Sequence, residues 1–98
     1  MSDTSLFISL LTIELLIPWA QSLKDKRRAV RGLKERLRSR FNASVSEVAL
    51  HDKWQRAMIA VCIVDSDRRR LESVMTQVRQ TAAAAEDIQI TGMYQEWL

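Results

Sequence analysis

Hydrophobic and polar positions along this chain fall into six segments with two different periods. Residues 6–17 are dense in apolar and β-branched side chains and stop at Pro18, which has no N–H to give a ladder; they predict a strand. Phe7, Leu11, Ile13, Leu15 and Ile17, with Ser9 among them, share one face, and Ile8, Leu10, Thr12, Glu14 and Leu16 share the other. A strand of that length reaches about 40 Å, more than a small sheet needs, so one end is expected to bend or project.

From Ser22 the period lengthens to three and four. Leu23, Val30, Leu33 and Leu37 mark a buried helical stripe ending near Phe41. Ser22 and Asp25 make a capping-box-like start, and Asn42 is a suitable stop. Residues 43–50 predict a shorter strand in which Val45 and Val48 are out of phase, as a bulge would leave them. A polar connection, residues 51–55, leads to RAMIAVCIV at 56–64. There Ala57, Ile59, Val61 and Ile63 alternate with Met58, Ala60, Cys62 and Val64, apolar on both faces, which predicts a central strand. Asp67 caps a second helix with the stripe Leu71, Val74, Met75, Val78 and Ala82, and residues 88–97 supply a last strand.

The order βαββαβ predicts an α+β, ferredoxin-like fold: a four-stranded antiparallel sheet, strand order 4-1-3-2, with both helices on one face. At 98 residues the chain is read as a single domain spanning 1–98, with residues 1–4 expected to be disordered. Its one cysteine, Cys62, has no internal partner, which fits a reducing cytoplasm. The apolar run at 6–17 is too short to span a bilayer, contains Glu14, and lacks the basic start of a secretory signal. A cytoplasmic protein without membrane partners is expected.

Charge changes the picture at one place. The segment SLKDKRRAVRGLKERLRSR, residues 22–40, carries nine lysines and arginines against two acids, a net +7, whereas the whole chain is +3 and the remainder therefore −4. Positive charge gathered on one element builds a surface for phosphates or acidic partners. The predicted topology brings the start of the first helix, with Pro18 and Trp19, to the end of the sheet that carries His51, Asp52, Lys53, Trp54, Gln55 and Arg56. Candidate nucleic-acid residues are Lys24, Lys26, Arg27, Arg28, Arg31 and Arg38 on the helix, with Lys53, Trp54 and Arg56 on the hairpin. Cations hold phosphates and an aromatic plane stacks a base. The plainer readings are a solvated helix face, a Trp54 that covers the core, and a Trp19 that packs the helix entry. Arg68, Arg69 and Arg70 sit at a helix start, against the dipole, so Asp65 and Asp67 are expected to pair with them rather than a bound phosphate.

The open face of the sheet would carry Ile8, Leu10, Thr12, Met58, Ala60 and Cys62, a largely apolar patch that predicts a two-fold homodimer. RNA-recognition-motif-like stacking on that face needs aromatics on the middle strands, and its centre has none. No glycine-rich phosphate loop or nucleophile pattern stands out, so no catalytic residue, cofactor or metal is assigned. His51, Asp52 and Glu47 are a weak metal set, and Cys62 among apolar neighbours reads as packing.

IELLIPWAQSLKDKRRAVRGLKERLRSRFNASVSEV, DKWQRAMIAV and DSDRRRLESVM resemble the YlxP-like family of small bacterial proteins of unknown function. SLKDKRR, the RFN–SV–EV stretch and WQRA carry the likeness over nearly the whole chain. The resemblance implies a ferredoxin-like fold, no established catalytic residues, and genes beside those for transcription-termination, ribosome-maturation and translation-initiation factors. Residues 1–4, Tyr94 and Trp97 depart from the family pattern. The leading expectation is a dimeric RNA- or ribosome-associated accessory factor. Behind it stand a module that binds an acidic protein partner and, third, a small enzyme with a cleft near His51 and Asp52.

Overall fold

The computed structural model describes residues 5–98; the expectation of disorder at residues 1–4 falls outside them. Six elements follow in the order β1 (Phe7–Leu16), α1 (Leu23–Arg40), β2 (Ser44–Ala49), β3 (Arg56–Asp65), α2 (Arg68–Ala83) and β4 (Gln89–Trp97). The strands form one antiparallel sheet in the order β2-β3-β1-β4, which is the ferredoxin-like arrangement expected from the pattern. β1 and β3 pair from Phe7↔Asp65 to Leu16↔Arg56, so the long first strand has an equally long neighbour and needs no projecting end.

Alternation along the two inner strands separates the faces. Leu11, Ile13 and Leu15 with Ala57, Ile59 and Val61 are buried beneath the helices, where they meet Val30, Leu33 and Leu37 of α1 and Leu71, Met75 and Val78 of α2. Each fully buried large aliphatic side chain contributes about 1.5–3 kcal/mol, so these two facing stripes account for much of the stability. Ser9 is the polar exception on this face. Its hydroxyl accepts from Gln95 Nε2 at 2.9 Å, and Gln95 Oε1 in turn accepts from Arg79, which ties β1 and β4 to α2.

The irregularities concentrate on the two edge strands. In β2 the register shifts between Glu47 and Ala49, leaving Val48 unpaired and turned outward as the bulged residue. Leu50 then takes φ = 64°, a left-handed conformation unusual for a branched side chain. In β4 the open face carries Tyr94, and a Cβ on Gly92 would meet its hydroxyl at 2.8 Å. Glycine is therefore what lets the Tyr94 side chain lie across the strand beside Glu14.

Candidate nucleic-acid interface

The first helix is aligned by its own cap. Ser22 Oγ accepts the Asp25 N–H at 3.1 Å, and Asp25 Oδ2 accepts the Gln21 N–H at 3.0 Å, one residue earlier than in the standard reciprocal box. With the apolar stripe facing the sheet, Lys24, Arg27, Arg31, Lys34 and Arg38 recur at spacings of three and four along one flank. That flank overlooks the β2 edge, because the Arg38 guanidinium donates to the Val45 carbonyl. Arg28 and Arg36 lie on the opposite flank, toward the α2–β4 connection. Ion pairs among the described residues involve Lys26, Arg68 and Arg70, and none of the exposed cations of α1 takes part.

Lys26 does not belong to the basic strip. Its side chain is 1% exposed, and its ammonium donates to Glu47 Oε2 at 3.0 Å, the Leu50 carbonyl at 2.8 Å and the His51 carbonyl at 3.3 Å. An ammonium has three protons, and each has an acceptor here. A buried charge costs several kcal/mol to desolvate unless it is paired and fully hydrogen-bonded; this one is. Lys26 is removed from the phosphate-contact set and becomes the pin between α1 and the β2–β3 hairpin. The same contact occupies Glu47, which takes one of the two carboxylates from the weak metal set of His51, Asp52 and Glu47.

On the hairpin Lys53, Trp54 and Arg56 are exposed, Trp54 at 56%. Gln55 fastens the hairpin to the β1–α1 connection: Nε2 donates to the Pro18 and Ala20 carbonyls, each at 3.0 Å, while its own carbonyl accepts the Ile17 N–H at 2.7 Å. The predicted neighbourhood of hairpin and helix start is therefore present. Trp19, however, is turned toward the α2–β4 connection, where its indole N–H donates to the Asp87 carbonyl at 2.9 Å. His51 donates through Nε2 to the Glu47 carbonyl at 3.2 Å.

Residues 8–95 match the family described as a protein of unknown function, DUF503. The chain belongs to that family. It is 32% identical over 84 residues to the uncharacterized protein YlxP of Bacillus subtilis (strain 168), an overlap covering 86% of this chain and 91% of that one. The family description names no activity or partner, so the chemistry of this DUF503 member rests on its own side chains.

Two of the three arginines of the second basic cluster, Arg68 and Arg70, are engaged from within. Arg70 reaches Asp65 at 2.6 Å, and Asp67 caps α2 by accepting the Arg70 N–H at 3.1 Å. The Arg70 hydrogen bond, helped by the Asp67 N–H, holds the Asp65 carboxyl down at about 2. Arg68 lies 4.3 Å from the centre of the Trp97 ring and pairs with Glu72. Trp97 thus packs beneath a cation on the helix side of the sheet.

Ile8, Leu10, Thr12, Met58, Ala60 and Cys62 all lie half-buried on the open face, in register as Leu10↔Cys62 and Thr12↔Ala60. Glu14, Glu96 and the exposed Tyr94 join them. Among the described residues no helix is long and apolar enough to cross a membrane. Sequence reasoning missed the place of Lys26, although Lys26, Val30, Leu33 and Leu37 repeat at four, three and four, the spacing of a single buried row.

Proposed function

We propose that this protein is a cytoplasmic RNA- or ribosome-associated accessory factor that holds phosphates on the exposed cations of α1. Lys24, Arg27 and Arg31 on the flank above β2 are the principal contacts, and Arg28 adds a contact from the other flank; Arg38 contributes the N–H groups not engaged by Val45, and Lys53, Trp54 and Arg56 meet sugar or base from the hairpin. The observation that carries this reading is a single exposed flank of regularly spaced cations outside every ion pair among the described residues. Positive charge left without internal partners favours a polyanion, and release of its counterions supplies most of the affinity. The ribosomal setting enters through the gene neighbourhood that the family resemblance implies. A second copy covers the open sheet face in this reading, which leaves the helix side free.

Co-sedimentation of the native protein with ribosomal particles tests the reading. The protein is expected to travel with a ribosomal subunit at low salt and to leave it as salt rises. Capture of a protein partner from nuclease-treated lysate, with no RNA bound, would instead favour an acidic protein surface as the target.

A further inference from the structure

Between α1 and the α2–β4 connection lies a cavity of about 170 Å³ that the exposed flank of α1 does not explain. Its size is below the roughly 300–1,000 Å³ of pockets that enclose drug-sized ligands; it suits a single ring system. Leu33, Ala29, Ala85 and Ile88 give it an apolar lining, and Trp19 forms a wall. The Trp19 ring is fixed by its N–H bond to the Asp87 carbonyl, yet the residue is 44% exposed, so an aromatic plane is held still with a face open.

Gly32 stands on this cavity, in the interior of α1 and in one row with Arg28 and Arg36, four residues to either side. A Cβ there would meet nothing within 4 Å, and the backbone conformation does not call for glycine. Packing therefore does not explain a residue that weakens the helix relative to alanine. What glycine does provide is open floor between two guanidiniums, neither of them in an ion pair among the described residues.

We infer that this groove takes one unstacked base of single-stranded RNA, its ring against Trp19 over Gly32 and its flanking phosphates on Arg28 and Arg36. The inference rests on the proposed phosphate-binding role of α1 and names the nucleotide feature that the protein reads. Glu86 and Asp87 also line the groove. Their negative charge turns the sugar–phosphate chain toward the arginine side, and their oxygens accept from the exocyclic amino group of adenine, guanine or cytosine.

The test compares oligoadenylate with an abasic ribose-phosphate oligomer of equal length, on wild type and on Gly32→Leu. Leucine is the better helix former, so the variant should melt no lower than wild type while its side chain fills the groove. Wild type is expected to bind oligoadenylate roughly 5- to 100-fold tighter than the abasic oligomer, the contribution of one stacked base. Gly32→Leu should lower that preference and keep its affinity for the abasic oligomer; Trp19→Leu, if folded, should do the same. Equal binding of the two oligomers by wild type, or a preference undiminished in Gly32→Leu, would overturn the groove as a base site while leaving phosphate binding intact. Failure to bind either oligomer would overturn the phosphate-binding role and this inference together.

Discussion

Lys26 Nζ lies 3.0 Å from Glu47 Oε2, an ion pair joining the first turn of α1 to the bulged edge strand. The same ammonium holds the carbonyl of Leu50, the residue in the left-handed conformation that begins the hairpin turn. The Lys53 N–H meets that carbonyl as well, at 3.0 Å. A residue in that conformation costs about 1–3 kcal/mol, and the two hydrogen bonds onto its oxygen offset it. The hairpin that presents Trp54 is thus aimed by a buried lysine.

Lys26→Met should therefore be a stability variant and not a binding variant. Removing one partner of a buried pair typically costs about 3–5 kcal/mol, and Glu47, whose side chain is 16% exposed, recovers part of that from water. Denaturant unfolding is expected to show a loss of about 2–4 kcal/mol. At temperatures where the variant remains folded, the salt dependence of its RNA binding should match wild type. A stable Lys26→Met protein with a shallower salt slope would return Lys26 to the phosphate surface.

Acid should act on the β3–α2 turn. Asp65 titrates at about 2 in the folded protein, against 3.8 for a free side chain, because Arg70 and the Asp67 N–H favour its charged form. Its stabilising contribution is complete above about 4 and is lost as pH falls toward about 2. Asp65→Asn should flatten the stability–pH curve in that window and leave the curve above pH 5 parallel to wild type. An unchanged acid limb would mean that the Arg70 contact does not persist in solution.

The two glycines should respond in opposite ways to alanine. Gly32→Ala meets open space and should raise stability by about 1 kcal/mol. Gly92→Ala would drive a methyl to 2.8 Å from the Tyr94 hydroxyl and must displace that side chain from its place across β4. Thermal unfolding of the pair, with Tyr94 followed by nuclear magnetic resonance, checks both. A stabilised Gly92→Ala with Tyr94 unmoved would contradict the packing described.

Assembly is a separate matter, tested by sedimentation. With a second copy over the open face, wild type should run as a dimer, and Leu10→Glu or Ala60→Asp should run as a folded monomer. A monomeric wild type would show that the half-buried centre of this face, around Leu10↔Cys62, has no partner of its own kind.

Period and capping made the fold legible from residue order. Ser22 and Asp67 start the helices as their side-chain oxygens require, and Val45 and Val48 foreshadow the bulge. The basic strip was less legible, because a lysine in a basic run looks the same whether it faces water or a buried glutamate. Only the coincidence of Lys26 with the Val30, Leu33 and Leu37 row distinguishes it. Trp19 was harder still. Its partner is the carbonyl of Asp87, 68 positions away, and a backbone acceptor leaves no trace in side-chain identity.

The most direct measurement is the affinity for a ribosomal RNA fragment as a function of salt. Four phosphates neutralised on a single strand give a log–log slope of roughly −3, and that is the slope predicted for wild type. In the Arg27→Glu, Arg31→Glu double variant the affinity should fall and the slope should become shallower. A flat salt response, or a double variant that binds as tightly as wild type, would contradict the phosphate-binding role of α1.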